Sequence, residues 1–141
     1  MDYYNEIAKE NIEISKNTKM LDVGCGTGVS SSFDCFVAGI DSSIDLLSLN
    51  NNCIRLLGAA ESLPFKDNSF DYVISITAIH NFSNVRKSIG EIKRVGSKSF
   101  ALSILRKSKK FSVIKDCIAK NFKINKMIEE EKDAIFFCSK P

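Results

Sequence analysis

Gly24, Gly26 and Gly28 stand at alternate positions directly after the apolar run Lys19-Met20-Leu21-Asp22-Val23. Glycine tolerates backbone conformations closed to other residues and lets the main chain approach a ligand closely. The segment Gly24-Cys25-Gly26-Thr27-Gly28 therefore reads as a loop able to wrap part of a nucleotide-like ligand with its backbone. Thirteen residues past Gly28, a second apolar run, Val37-Ala38-Gly39-Ile40, ends in Asp41. A carboxylate at the end of a neighbouring parallel strand can hold the hydroxyls of a ribose. Asp22, ahead of the first glycine, can accept hydrogen bonds from loop amides. His80 is the only histidine and sits in Ser75-Ile76-Thr77-Ala78-Ile79-His80-Asn81-Phe82, where a fourth strand would give way to a loop. Its ordinary pKa near neutrality suits a general base or a substrate-orienting group, and a structural role is equally open to it.

These residues need strands and helices in alternation to bring them together, and the chain supplies that pattern. Tyr3, Ile7 and Ile14 fall roughly on one face of an opening helix. Ser42, with Asp45 three residues on, reads as a capping box for a short helix through Leu46, Leu47 and Leu49. Cys53–Leu57 and Tyr72–Ile76 read as the third and fourth strands, the latter apolar enough to be central in a parallel sheet. Val85, Ile89 and Ile92 recur at helical spacing behind a Ser83 cap, and Gly96 stands where a helix ends. Phe100–Leu105 forms a fifth strand, and Phe111, Ile114, Ile118 and Phe122 mark a further helix. The tail, from Ile124 through Glu129–Asp133 to Ala134–Cys138, reads as two strands joined by a charged turn, hence antiparallel. Only Val29–Cys35 separates the glycine loop from the second strand, so any helix there has at most one or two turns.

At 141 residues the chain suits one domain over 1–141, with a single core and little material for a separate substrate-binding unit. It is 44% hydrophobic and 26% charged, with a net charge of +3, ordinary values for a globular domain. No apolar run approaches the roughly 20 residues that span a bilayer, and the acidic start is not that of a secretory signal. Five scattered cysteines without a C-x-x-C pair exclude a standard zinc site and point to free, mostly buried thiols in a reducing cytoplasm. The basic run Arg106–Lys110 reads as a solvated loop or as a contact for RNA phosphates.

Four segments in unbroken order resemble the class I S-adenosylmethionine-dependent methyltransferases, most of all the ubiquinone/menaquinone-type domain. They are Leu21–Gly28, Gly39–Ser43, Gly58–Phe65 and Asn68–Val73. The resemblance implies an α/β fold, a Rossmann-like, doubly wound and mostly parallel sheet of about seven strands with an antiparallel C-terminal hairpin. It implies S-adenosyl-L-methionine as cofactor, its amino-acid end wrapped by Gly24, Cys25, Gly26, Thr27 and Gly28. Asp22 would reach its ammonium group or brace the loop, and Asp41 would hold its ribose, with Ser42 beside it. Ala60 would offer its backbone N–H to the adenine, and Ile76 would lie alongside. An acid usually stands where this chain has Ala59, which leaves Glu61 as the substitute. The N/D-P-P-Y segment of the amino-methylating branches is missing after the fourth strand, which counts against adenine or glutamine amide as acceptor.

The acceptor is a small molecule, RNA or protein that the sequence does not identify. Some minimal methyltransferases of this resemblance need a small activating subunit, so a cofactor-binding or partner-dependent module, or a homodimer, is a competing reading. A nicotinamide-dependent oxidoreductase fits less well. Its G-x-G-x-x-G would need glycine at Val29, and no Tyr-x-x-x-Lys pair supports hydride chemistry.

Overall fold

The computed structural model describes residues 2–29 and 31–141. Seven strands form one sheet: β1 (Lys19–Val23), β2 (Phe36–Asp41), β3 (Ile54–Leu57), β4 (Phe70–Ser75), β5 (Gly96–Leu105), β6 (Lys123–Glu129) and β7 (Asp133–Ser139). Their order is β3-β2-β1-β4-β5-β7-β6. The first five run parallel, and β7 pairs antiparallel with both β5 and β6. The expected architecture is present, closing hairpin included. Strand order reverses between β1 and β4, and the crevice outside their carboxyl ends is where open α/β sheets bind ligands.

The helices are α1 (Asp2–Asn11), α2 (Ile44–Leu47), α3 (Val85–Val95) and α4 (Phe111–Asn121), with a 3-10 turn at Ile79–Asn81. The larger core, against α3 and α4, joins Ile89, Ile92, Ile114 and Ile118 to Val73, Phe100 and Leu102. On the opposite face Ala8 and Ile12 meet Met20, Ile74 and Phe137. Ile7 and Ile14 pack at the margin of that second cluster, and the Tyr3 side chain lies outside the described residues. Strands β1 and β4 are buried on both faces, which accounts for their near-continuous apolar runs.

Several boundaries differ from the sequence expectation: β5 starts at Gly96 rather than Phe100, β4 runs from Phe70 to Ser75 rather than from Tyr72 to Ile76, α1 ends at Asn11 before Ile14, and α2 ends at Leu47 before Leu49. Ser43, not Ser42, caps α2, its side chain accepting the Leu46 N–H. The Ser43 N–H is itself held by Asp41 Oδ1 at 2.9 Å, which starts the helix one residue later. Asn84, not Ser83, caps α3 through its bond from the Lys87 N–H, and the Asn84 N–H is fixed by Glu61. Gly96 follows α3 as expected, but with an extended backbone that leads straight into β5. Its glycine is needed for space, since a Cβ there would strike the Phe100 ring. Between Val29 and Cys35 no described residue is helical, so even a short helix is missing from them.

Candidate functional site

The glycine loop turns by left-handed backbone at Gly24, Gly26 and Gly28, with φ of +78°, +52° and +86°. Other residues pay steric strain in that region. The reasons for glycine differ by position. A Cβ on Gly28 would overlap the Asn50 amide, and one on Gly24 would come within 2.6 Å of Ala78 Cβ. At Gly26 the nearest atom would be Leu46 Cδ1, 3.8 Å away. Gly26 thus faces room that a bound group can fill.

Neighbouring strands hold the loop in place. The N–H groups of Gly24 and Cys25 both donate to the Ile40 carbonyl, at 2.8 and 3.2 Å, and Gly28 N–H donates to Cys25 O at 2.9 Å. Asp41 bridges two elements, Oδ2 accepting Gly26 N–H and Oδ1 accepting Ser43 N–H, each at 2.9 Å. A carboxylate has about four lone-pair sites, so further acceptor capacity remains for ribose hydroxyls. Asp22 is fully buried, and its Oδ2 accepts the Ser31 hydroxyl at 2.6 Å. Thr27 stands half-buried inside the turn.

A cavity of ≈ 110 Å³ opens beside the loop, lined by Gly24, Asp41, Ser42, Ala60, Glu61 and Phe82 among others. Small-molecule sites typically measure about 300–1,000 Å³, so this cavity takes one end of an extended ligand and leaves the remainder along the glycine loop. Ala60 is buried at its wall and Ala59 is exposed. Glu61 Oε2 accepts Asn84 N–H at 2.9 Å, so the candidate adenine acid also anchors α3. An open cradle at Gly26, a ribose-competent Asp41 and an adjoining pocket fit an adenosyl group with an amino-acid tail.

His80 lies on the 3-10 turn, and the cavity is lined by its neighbours Asn81 and Phe82 rather than by His80 itself. Its Nδ1 is buried with no hydrogen-bond partner among the described residues. Burial, and then the Lys110 charge, hold its pKa below the ordinary value of 6.5. The ring is thus neutral at neutral pH and able to accept a proton. Lys110 Nζ donates to His80 O at 3.2 Å, which joins the basic run to the same rim. Arg106, at the start of that run, is turned toward the closing hairpin and donates to Glu130 O. Ile76 follows β4 half-buried. Next to it Thr77 adopts a left-handed φ of +52°, and its N–H donates to Ser103 Oγ at 2.7 Å.

Asn50 and Asn52 escaped the sequence reading. Asn50 is fully buried, and its Nδ2 donates to Gly26 O at 3.3 Å. Asn52 Nδ2 donates to Gly28 O at 2.8 Å. The available signal was the run Asn50-Asn51-Asn52 ahead of a strand, since asparagine amides commonly organise turns. Arg94 escaped it too. Its guanidinium binds Leu63 O, Phe65 O, Asp67 and Glu91, pinning the segment that leads away from the cavity wall.

Residues 21–99 match the family described as methyltransferase domain. An uncharacterized protein of Methanocaldococcus jannaschii is 30% identical over 115 residues, covering 67% of this chain and 46% of that protein. YcgJ, an uncharacterized methyltransferase of Bacillus subtilis, is 33% identical over 90 residues, 55% of this chain and 36% of that one. Its crystal structure matches with a TM-score of 0.67 at 28% identity, covering 74% of this chain and 51% of the other. A putative methyltransferase of Haloferax volcanii, solved in complex with a methyltransferase activator, shares the fold with a TM-score of 0.80 at 13% identity, over 99% of this chain and 89% of that one. The chain spans less than half the length of the two curated relatives. With the family matched over more than half its length, the chain belongs to the S-adenosylmethionine-dependent methyltransferases of the Rossmann-like class.

Proposed function

We propose that this domain binds S-adenosylmethionine along the carboxyl ends of β1 and β2 and moves its methyl group to an acceptor at that rim. The observation that carries this reading is the open, left-handed Gly26 hydrogen-bonded to Asp41 beside the cavity. Bound there, the cofactor supplies a methyl group already activated for displacement. The chain's residues need only bind, align and exclude water, and alignment alone can supply much of a rate enhancement. Gly24, Cys25, Gly26, Thr27 and Gly28 wrap the amino-acid end, and Asp22 braces them from below. Asp41 and Ser42 face the ribose, Ala60 and Glu61 the base, and Ile76 the reacting side of the rim. His80 receives the acceptor's proton where the acceptor carries one.

Calorimetric titration with S-adenosylmethionine and its demethylated product tests the site. Asp41→Ala should weaken binding by about 1.5–3 kcal/mol, the range for charge-assisted hydrogen bonds. Gly26→Val should abolish it. Unchanged affinity in both variants refutes the placement. Methyl transfer from labelled cofactor into fractionated extract then separates small-molecule, RNA and protein acceptors.

A second reading, that the domain works with an activating subunit, rests on its edge. Ile44, Leu46, Leu49, Ile54 and Leu57 are all exposed around α2 and β3, and β3 is an edge strand of the sheet among the described residues. An apolar edge of that kind invites a covering chain, and the Haloferax volcanii methyltransferase of similar fold was solved with such an activator. Light scattering and transfer assays on the domain alone and in native extract test this. Full activity from a monodisperse monomer would count against it.

A further inference from the structure

The thiols of Cys25 and Cys53 converge over β2. A Cβ built on Gly39 would lie 2.6 Å from each sulfur, so the two sulfurs are no further apart than twice that distance. The missing side chain at Gly39 makes their meeting point. Cys25 comes from the cofactor loop and is buried, whereas Cys53 enters β3 and is half-buried. Their closeness divides their roles. Cys25 retains its proton and its pKa is pushed far up. The neighbouring Cys25 thiol, helped by Ser31 and Asn50 and against the cost of burial, lowers Cys53 below the ordinary thiol value. Asn50 Nδ2 donates to Cys53 Sγ and to Gly26 O, each at 3.3 Å, so one buried amide spans the thiol pair and the loop. The remaining cysteines are of another kind. Burial raises Cys35, Cys117 and Cys138, the last to about 12.

We propose that Cys25 and Cys53 form a reversible modification site, a thiol pair that hydrogen peroxide converts into a disulfide joining the glycine loop to the entrance of β3. The Cys53 thiolate attacks one peroxide oxygen, forming an S–O bond while the O–O bond breaks. The departing hydroxide takes a proton and becomes water. The Cys25 sulfur then attacks the Cys53 sulfur, forming S–S as the S–O bond breaks, and the oxygen leaves with the Cys25 proton as a second water. Two thiols are oxidised and one peroxide is reduced. The disulfide displaces the sulfur that Asn50 holds and draws Cys25 toward β3, so the loop loses the shape that receives the cofactor. That consequence rests on the proposed S-adenosylmethionine site, while the cross-link itself does not.

Purified protein is treated with equimolar hydrogen peroxide and cleaved ahead of its aspartates. Cleavage at Asp22, Asp34, Asp41 and Asp45 puts Cys25, Cys35 and Cys53 on three different peptides. The expected product is a Cys25–Cys53 linked pair, two hydrogens lighter, that dithiothreitol separates. Affinity for S-adenosylmethionine should fall at least tenfold on oxidation and return on reduction. Cys53→Ser, whose hydroxyl still offers Asn50 an acceptor, should bind cofactor normally and give no cross-link with peroxide, and Cys53→Ala, the second variant should the first fold poorly, should likewise give no cross-link. Pairing through Cys35, or irreversible oxidation of Cys53 alone, would overturn the proposal. A mapped disulfide that leaves affinity unchanged would overturn its link to the loop. Failure of the reduced protein to bind cofactor would count against the methyltransferase site, and the peptide map would still decide the thiol pair.

Discussion

Gly26→Ala and Gly28→Ala add the same methyl group two residues apart, and the structure assigns them different consequences. Both positions have left-handed backbone, where a residue with a Cβ costs roughly 1–2 kcal/mol. At Gly26 nothing further is added, because the new Cβ meets only Leu46 Cδ1 at 3.8 Å. The fold should therefore lose about 1–2 kcal/mol. At roughly 3 °C per kcal/mol for a domain of this size, that is a melting temperature lower by about 3–6 °C. At Gly28 the same Cβ lies 2.5 Å from Asn50 Cγ. Asn50 must move, and its bonds to Gly26 O and Cys53 Sγ break in a buried setting. Unsatisfied buried groups cost about 1–3 kcal/mol each, so Gly28→Ala should lose about 3 kcal/mol or more. Binding should rank differently. Gly26→Ala, though folded, places a methyl group in the cradle and should lower cofactor affinity at least tenfold, about 1.4 kcal/mol. Thermal denaturation with calorimetric titration of each variant reads both quantities. Equal stability losses, or a Gly26→Ala protein with wild-type affinity, would refute the account of the loop.

Arg94→Ala should cost about 2–3 kcal/mol in denaturant unfolding, since hydrogen bonds to Leu63 O, Phe65 O, Asp67 and Glu91 vanish together. Glu91 is held below the ordinary carboxylate range, chiefly by Arg94 and against its burial. Its contribution is complete above the unfolded carboxylate pKa and is lost as pH falls through the lower folded value, so Glu91→Gln should flatten that acid limb. His80 is also lowered, by burial and then by Lys110, so the unfolded chain takes its proton first and stability should decline as pH drops below about 6.5; an unchanged pH–stability profile in His80→Gln would contradict this. If His80 takes the acceptor's proton, His80→Ala should slow turnover about 10²–10⁴-fold with cofactor affinity intact, and a normal rate would end that role.

What the sequence made legible was whatever depends on near neighbours. Met20, Leu21 and Val23 announce a strand because a centrally placed parallel strand is buried on both faces. Ile89 and Ile92 announce α3 because one helical stripe meets the core. The glycine loop and Asp41 were legible for the same reason, as short patterns with fixed spacing. What escaped were partners far apart in the chain. Asn50 reaches Gly26 across 24 residues and Arg94 reaches Leu63 across 31, and no local pattern encodes such a pairing. The cap positions shifted by one because Asp41 and Glu61 claim the N–H groups of Ser43 and Asn84. Those claims too are settled only once the strands are in register.

The lack of helix among the described residues between β1 and β2 changes how this site must work. A helix starting at the glycine loop would direct its positive dipole end toward the cofactor's carboxylate. Here no described residue between Gly28 and β2 is helical, and side chains behind the loop hold its shape. Asp41 holds Gly26 N–H, Asn50 holds Gly26 O, Asn52 holds Gly28 O, and Ser31 fastens Asp22 below. Such a cradle has its form set by four hydrogen-bonded residues rather than by a packed helix. Asn50 is shared with Cys53, and in the proposed site Asp41 would also serve the ribose. The face near α2 and β3 is thinly covered, with Ile44 and Leu57 in solvent. The α2–β3 segment and the end of β2 thus supply both the braces of the loop, Asp41, Asn50 and Asn52, and the exposed apolar edge with Ile44 and Leu57, so a chain that covered that edge would lie against the elements that shape the loop.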